Sequence, residues 1–386
     1  MPRRRDVLAG LLGTALVQPP AARAAQPFRI GTILSATGAA AFLGQDMKDG
    51  AQLAIEQINA AGGTNGRPID WVFYDAQSET QRAINDTRRL LTSDNADIIV
   101  GGGSMSGIAL AMSAMVEQAG IPFISTEGAG GIVSPVAQHR WSFKSTVDDS
   151  LALQRLADFF DRRGIRRIAL LADTSGFGQS ATEQLRTIGP ARGLDVQFLA
   201  FAPGDTDLTP QLLDARDHGA QAIVCWTVTP AGLIFLKQAQ QLGLDEHVTL
   251  IHSYGFVANR YMELAGSATD KLLLLSQKFV IGDDLPDSDP VKRPILALDQ
   301  AFRDRWKRAP NQFVAQTYDA VMLARRALEQ GGDDHAHVRD ALEGIRDFGS
   351  ASGVFSFSAA QHSGLGKDNL VLVRWAGGRF RLVPDA

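Results

Sequence analysis

The chain has 386 residues, of which 45% are apolar and 21% charged, and a net charge of −4. That length exceeds what one hydrophobic core usually serves, so two domains are expected. Mild acidity, with both signs spread along the chain, excludes the basic footprint of a nucleic-acid binder; the single cysteine, Cys225, excludes an internal disulfide.

The N-terminus reads as an export signal. Arg3-Arg4-Arg5 precede an apolar run over 7–17, Pro19 and Pro20 end it, and Ala22-Arg23-Ala24 supplies a small-x-small cleavage site. Paired arginines before Val7-Leu8 suit the twin-arginine route. Residues 1–25 are therefore expected to be a signal peptide cleaved near Ala24/Ala25, with the mature protein in the periplasm. The run is too short to span a bilayer, and no later segment reaches 18 apolar residues. ATP and NAD are scarce outside the cytoplasm, which argues against nucleotide-dependent chemistry.

The mature part alternates strands and helices. A strand at 28–34 is followed by a helix carrying Met47, Ala51, Ala54, Ile55 and Ile58 at helical spacing, stopped by Gly62-Gly63. Strands at 69–74, 98–100 and 121–125 alternate with helices at 79–92 and 107–118. The rhythm restarts after Lys144, with helices at 148–163, 179–192, 209–217 and 230–242. Strands are expected at 166–171, 195–199, 221–226, 248–252 and 272–279. A charged loop over 282–290 leads to helices at 293–307, 312–329 and 335–345, and strands at 354–358, 370–375 and 379–383 finish the chain. Such a βαβα order implies parallel sheets with helices on both faces. Cys225, inside the apolar run 222–226, is expected to be a buried and inert strand residue.

Ligands of such sheets bind outside the carboxyl ends of the strands. Those ends fall at 35–42, 101–106, 125–131, 173–178, 226–230 and 253–256. They are rich in hydroxyls, glycines and a few aromatics, and poor in charge. Hydroxyls and free N–H groups at helix starts suit a carboxylate or amide, and rings suit an apolar body.

Catalytic motifs fail. The run 101–107 contains Ser104 and Ser106 but lacks Gly-x-Ser-x-Gly spacing. Residues 176–181 match Gly-x-Gly-x-x-Ala between strand and helix, yet the acid required at the end of the next strand is missing, since Asp195 opens that strand. Asp333-Asp334-His335-Ala336-His337 reads as a solvated helix start rather than a metal site. No cofactor is expected.

Several blocks together carry a resemblance. Phe28-Arg29-Ile30-Gly31-Thr32-Ile33-Leu34-Ser35-Ala36-Thr37-Gly38, then Leu43-Gly44, then the run 50–63 from Gly50-Ala51 to Gly62-Gly63, resemble the opening of leucine/isoleucine/valine-type periplasmic binding proteins. Asn65-Gly66-Arg67-Pro68-Ile69, Ile98-Ile99-Val100-Gly101, Gly120-Ile121-Pro122-Phe123 and Thr317-Tyr318-Asp319-Ala320 continue it across the mature chain. The resemblance implies a type I periplasmic binding protein fold: two doubly wound parallel-sheet lobes joined by a three-crossover hinge. Crossovers would fall near Ser145, Gln277 and Ala351, giving an N-terminal lobe of 26–145 plus 278–350 and a C-terminal lobe of 146–277 plus 351–386. It also implies a monomer that hands a small ligand to an ABC permease of the inner membrane and does no chemistry itself. A ligand-binding sensor of the amide type and an exported hydrolase are the alternatives.

Matched position by position, the resemblance places Phe42, Ser104, Ser106, Glu127, Ala129, Phe177, Tyr254 and Tyr318 at the ligand, and the strand ends add Gly128 and Trp226. Departures stand out. Ala129 replaces a threonine, Glu127 takes a position that is usually small, and Tyr254 falls near where amino-acid binders place an acid for the ligand ammonium. An unpaired ammonium in a closed cleft is costly. Two ligand readings therefore stay open. One is an apolar amino acid with Glu127 as ammonium partner. The other is an amide, urea-like compound or aromatic carboxylate clasped by Phe42, Phe177, Trp226 and Tyr254.

Overall fold

A computed structural model describes residues 26–384, so the expected signal peptide lies outside the described residues. The first sheet joins β1 (Phe28–Leu34), β2 (Ile69–Asp75), β3 (Ile98–Gly101), β4 (Phe123–Ser125) and β5 (Ser142–Lys144) in the order β2-β1-β3-β4-β5, all parallel. β1 is buried on both faces, which is why it reads as a nearly continuous apolar run. Helices α1 (Ala41–Ala60), α2 (Thr80–Thr92) and α3 (Ser106–Ala119) connect these strands. α1 buries Leu43, Met47, Ala51, Ala54, Ile55 and Ile58 along one side, the stripe its spacing predicts.

After β5 the chain enters a second layer through α4 (Asp149–Arg163). β6 (Arg167–Asp173), β7 (Asp195–Phe201), β8 (Ala222–Trp226), β9 (Thr249–His252) and β10 (Leu273–Gln277) follow, linked by α5 (Gly176–Ala191), α6 (Thr209–Asp217), α7 (Ala231–Gln241) and α8 (Asn259–Ala265). The chain then returns: α9 (Lys292–Trp306), α10 (Gln312–Gly331) and α11 (His335–Glu343), with α10 packed along α1 and against β3. A two-residue ribbon, β11 (Phe348–Gly349) with β12 (Val354–Phe355), precedes β13 (Leu370–Ala376) and β14 (Arg379–Leu382). These last two extend the second sheet antiparallel, in the order β14-β13-β10-β9-β8-β6-β7. Thus the chain passes between the layers at three places: after β5, after β10 and between β12 and β13.

Three expectations differ from the structure. β5 and α8 have no sequence signal of their own, because three and seven residues are too few to show a period. The strand expected at 354–358 shortens to Val354–Phe355, since Phe357 N bonds to Ile345 O and its ring joins the core instead. α5 starts at Gly176, three residues earlier than expected, because the Ser175 hydroxyl accepts from Phe177 N and caps it. Cys225 lies fully buried on β8, and burial pushes its thiol up.

The crossing points are buried and polar. Lys144, closing β5, is fully buried; its Nζ donates to Gly128 O at 2.6 Å, Ala129 O at 3.3 Å and Asp148 Oδ2 at 3.1 Å. Burial alone would raise the Asp148 carboxyl, but the Lys144 ammonium and Ser150 hold it below its ordinary value. At the second crossing, Gln316 Nε2 donates to Gln277 Oε1 at 3.2 Å and Gln277 Nε2 to Thr146 Oγ1 at 3.5 Å. Gln312 Nε2 reaches Tyr254 O at 2.5 Å. At the third, Asp319 of α10 accepts from Ser350 Oγ, Ala351 N and Ser352 N. Satisfied buried networks of this kind fix geometry more than they add net stability.

Candidate functional site

The carboxyl ends of β3 and β4 in one layer meet those of β6, β8 and β9 in the other around a small cavity of ≈ 40 Å³. The first layer contributes Ser104, Ser106, Thr126, Glu127 and Gly128; the second contributes Phe177, Val228 and Tyr254. Leu43 and Met47 of α1, with Phe313 and Gln316 of α10, complete the wall. At roughly 10–15 Å³ per water, the space admits a few heavy atoms.

The run after β3 sets the first layer's floor. Gly101, Gly102 and Gly103 all have positive φ, and Ser104 follows at φ 59°. This left-handed path turns the chain sharply into α3. Ser104 Oγ accepts from Ser35 N at 3.2 Å and Ser106 Oγ from Ala129 N at 3.3 Å.

Glu127 is the unusual residue. Its side chain turns back toward the loop between β3 and α3, where a Cβ on Gly102 would lie 1.9 Å from Oε2. Oε2 accepts from Ser125 Oγ at 2.8 Å and Thr126 N at 3.1 Å, and Oε1 accepts from Thr126 Oγ1 at 2.7 Å. Complete burial pushes this carboxyl up, against the pull of the Thr126, Ser125 and Ser104 donors.

Across the cleft, Tyr254 Oη donates to Asp149 Oδ1 at 2.5 Å, at the start of α4. Gly128 admits this pair, since a Cβ there would lie 1.9 Å from Tyr254 Oη. The Phe177, Trp226 and Tyr254 rings cluster with centroids 5.5 to 5.8 Å apart, Tyr254 edge-on to the other two and Phe177 tilted against Trp226. Asp149 is fully buried and pushed up to about 6, chiefly by burial and against the Lys144 charge. A carboxyl raised above its unfolded value of 3.8 favours the folded state below about pH 4, and loses that contribution as pH rises through 6. Asp149→Asn removes the titration. In urea unfolding, the variant's stability relative to the parent should therefore rise by about 2–3 kcal/mol between pH 4 and pH 7. A difference that does not change with pH would contradict the assignment.

The two layers touch directly. Gly130 N donates to Ser180 Oγ of α5 at 3.2 Å. The starts of α3 and α5 abut, so a Cβ on Gly176 would lie 2.8 Å from Gly107 N.

Of the residues expected from sequence, Ser104, Ser106, Glu127, Gly128, Phe177 and Tyr254 line the cavity. Four lie outside its wall. Phe42 packs edge-on against Tyr261 at 4.5 Å; Leu43 and Met47, four apart on one face of α1, take its place. Trp226 is buried one layer behind Phe177 and Tyr254. Ala129 is buried beside Ser106, outside the wall. Tyr318 points to α1, donating to Gln57 Oε1 at 2.6 Å. It sits two positions beyond Gln316, about 200° around the helix, so it shares no face with the cavity residues. Thr126, Val228 and Gly255 lie in the strand-end loops read from sequence without being singled out, and Thr146, Phe313 and Gln316 escaped that reading. Phe313 and Gln316 carry a signal in retrospect, since Asn311 caps α10 and sets them in its first turns.

No histidine is among the residues lining the cavity, and both serine oxygens accept from backbone N–H groups. Among the described residues no cluster suits a metal ion; Asp334 instead caps α11, accepting from Ala336 N and His337 N.

Comparison with known proteins gives a consistent picture. A family model described as periplasmic binding protein matches residues 27–379. A Leu/Ile/Val-binding protein homolog 7 of Brucella abortus (strain 2308) is 25% identical over 400 residues, covering 97% of this chain and 96% of that protein. Among solved structures, the branched-chain amino acid transporter substrate binding protein of Streptococcus pneumoniae, in complex with isoleucine, is similar with TM-score 0.78 and 25% identity, over 92% of this chain and 98% of the other. A solute binding protein of an ABC transporter from R. palustris, in complex with benzoate, is similar with TM-score 0.79 and 22% identity, over 92% and 95%.

Proposed function

This chain belongs to the periplasmic binding protein family, and from that premise we propose that it captures a small ligand between its two lobes and delivers it to a membrane ABC permease. The lobes would divide at the three crossings, with 26–145 plus 278–350 in one and 146–277 plus 351–386 in the other. The supporting observation is the cavity itself, walled by both layers and lined by hydroxyls, one acid and aromatic rings. Ligand contacts from both lobes would favour the closed form over an open one. A periplasmic location and release of the first 25 residues belong to the same proposal, as does action as a monomer. The relatives bind isoleucine in one case and benzoate in another, so the candidate ligands are amino-acid-like compounds, amides and carboxylates.

A thermal-shift screen of ligand-stripped mature protein tests this. A ligand at about a hundred times its dissociation constant adds roughly 2.7 kcal/mol, enough to raise the melting temperature by several degrees. At least one member of a panel of amino acids, amides, urea and carboxylates should do so. A panel without any shift would contradict the proposal.

A further inference from the structure

A ring contact joins the two layers beside the cavity without lining it. Phe42, in the first turn of α1, meets the Tyr261 ring of α8 edge-on, with centroids 4.5 Å apart and planes at 66°. Phe42 belongs to the first layer and Tyr261 to the second. The pair is tied to both walls. Leu43 follows Phe42 in the chain, the Tyr261 hydroxyl donates to Val228 O at 3.1 Å, and both Leu43 and Val228 line the cavity.

Tyr261 is held on its own side independently of Phe42. Its ring stacks on Phe256 at 3.9 Å and 12°, Phe256 stacks on His252 at 4.0 Å and 18°, and Phe235 meets His252 edge-on at 6.2 Å. Phe235, His252 and Phe256 are fully buried, and Tyr261 is 4% exposed. A stack rooted in the core and one hydroxyl bond fix the Tyr261 ring, so it has little freedom left to lose when it meets Phe42. Phe42 is half-buried even with this contact made.

We infer that Phe42 and Tyr261 form a latch between the lobes, with Tyr261 a positioning residue that sets how long a captured ligand stays, not which ligand is chosen. The inference rests on the two-lobe capture reading. Neither ring lines the cavity, so neither touches what the cavity holds. The contact would exist only with the lobes together, so it lowers the closed form relative to the open one. Escape requires opening, and loss of the latch therefore speeds dissociation. Association begins from the open form and is nearly unaffected. An edge-to-face pair is worth about two- to tenfold in such a rate.

The test is a double-mutant cycle followed by stopped flow, with Phe42→Leu, Tyr261→Leu and both together in the mature protein. The probe is whichever of L-isoleucine, benzoate, acetamide and urea raises the melting temperature of the parent most. Each single variant should speed dissociation about two- to tenfold and change association by less than about twofold. The double variant should dissociate no faster than the faster single one, because the two substitutions remove the same contact. Tyr261→Phe keeps the ring and its stack, and should keep most of the slow dissociation. Additive effects, or a change confined to association, would overturn the latch and leave capture between lobes intact. If Tyr261→Leu folds poorly, Phe42→Leu decides alone, and an unchanged dissociation rate in it would overturn the latch. If none of the four compounds binds the parent, the capture reading falls and the latch with it.

Discussion

Lys144→Met should lower the unfolding free energy by about 3–5 kcal/mol, seen as a large fall in the urea midpoint. Lys144 is fully buried where the chain leaves the first sheet. Its ammonium satisfies two carbonyls, those of Gly128 and Ala129, and one carboxylate, that of Asp148. Methionine fills the space but supplies no donor. Asp148 would then be a buried anion without its counterion, and that uncompensated charge dominates the loss. The double variant Lys144→Met/Asp148→Asn removes the orphaned charge and should recover part of the stability, because asparagine can still accept from Ser150 N at the start of α4. If the double variant is no more stable than the single one, lost carbonyl bonding rather than the orphaned charge accounts for the effect.

Much of the fold was legible in the sequence, for a physical reason. Strands buried on both faces read as short apolar runs, as in β3 and β8, and the stripe on α1 repeats at helical spacing. Parallel topology follows from that alternation. The buried polar groups at the crossings were not legible. Lys144, Gln277, Gln312, Gln316 and Asp319 are polar residues buried to 2% or less exposure, and a hydropathy pattern reads polar residues as exposed. Their burial is decided by partners outside the local hydropathy pattern, 131 positions apart in the Gln277–Thr146 bond and 58 apart in the Gln312–Tyr254 bond. The site was legible at strand ends, where position alone places Ser104, Ser106, Glu127 and Tyr254. It was illegible on helices entering from the side, where a shift from Tyr318 to Gln316 changes the face. Glu127 was visible as an oddity, but its direction, back toward Gly102, needed coordinates.

Gly176→Val should weaken ligand binding by about 10–100-fold while leaving the stability of the ligand-free protein almost unchanged. Gly176 opens α5 at an ordinary helical φ, so valine is sterically allowed in its own lobe. The nearest obstacle to a Cβ is the backbone of Gly107, 2.8 Å away at the start of α3 in the facing layer. Overlap with backbone cannot be relieved by a rotamer change. Forcing the lobes together would cost about 1–3 kcal/mol, which is about one to two decades of affinity. An open form would carry no such overlap.

The most direct measurement of closure is the distance between nitroxide labels at Gln45→Cys on α1 and Arg260→Cys on α8, which flank the Phe42–Tyr261 contact between layers. Cys225 is fully buried with its thiol pushed up, so it stays unlabelled. With the panel compound that gives the largest thermal shift, the parent protein should go from a broad distribution with a long component to a single short distance. Gly176→Val should retain the long component at the same ligand concentration. Identical distributions with and without bound ligand in the parent protein would contradict capture by closure of two lobes.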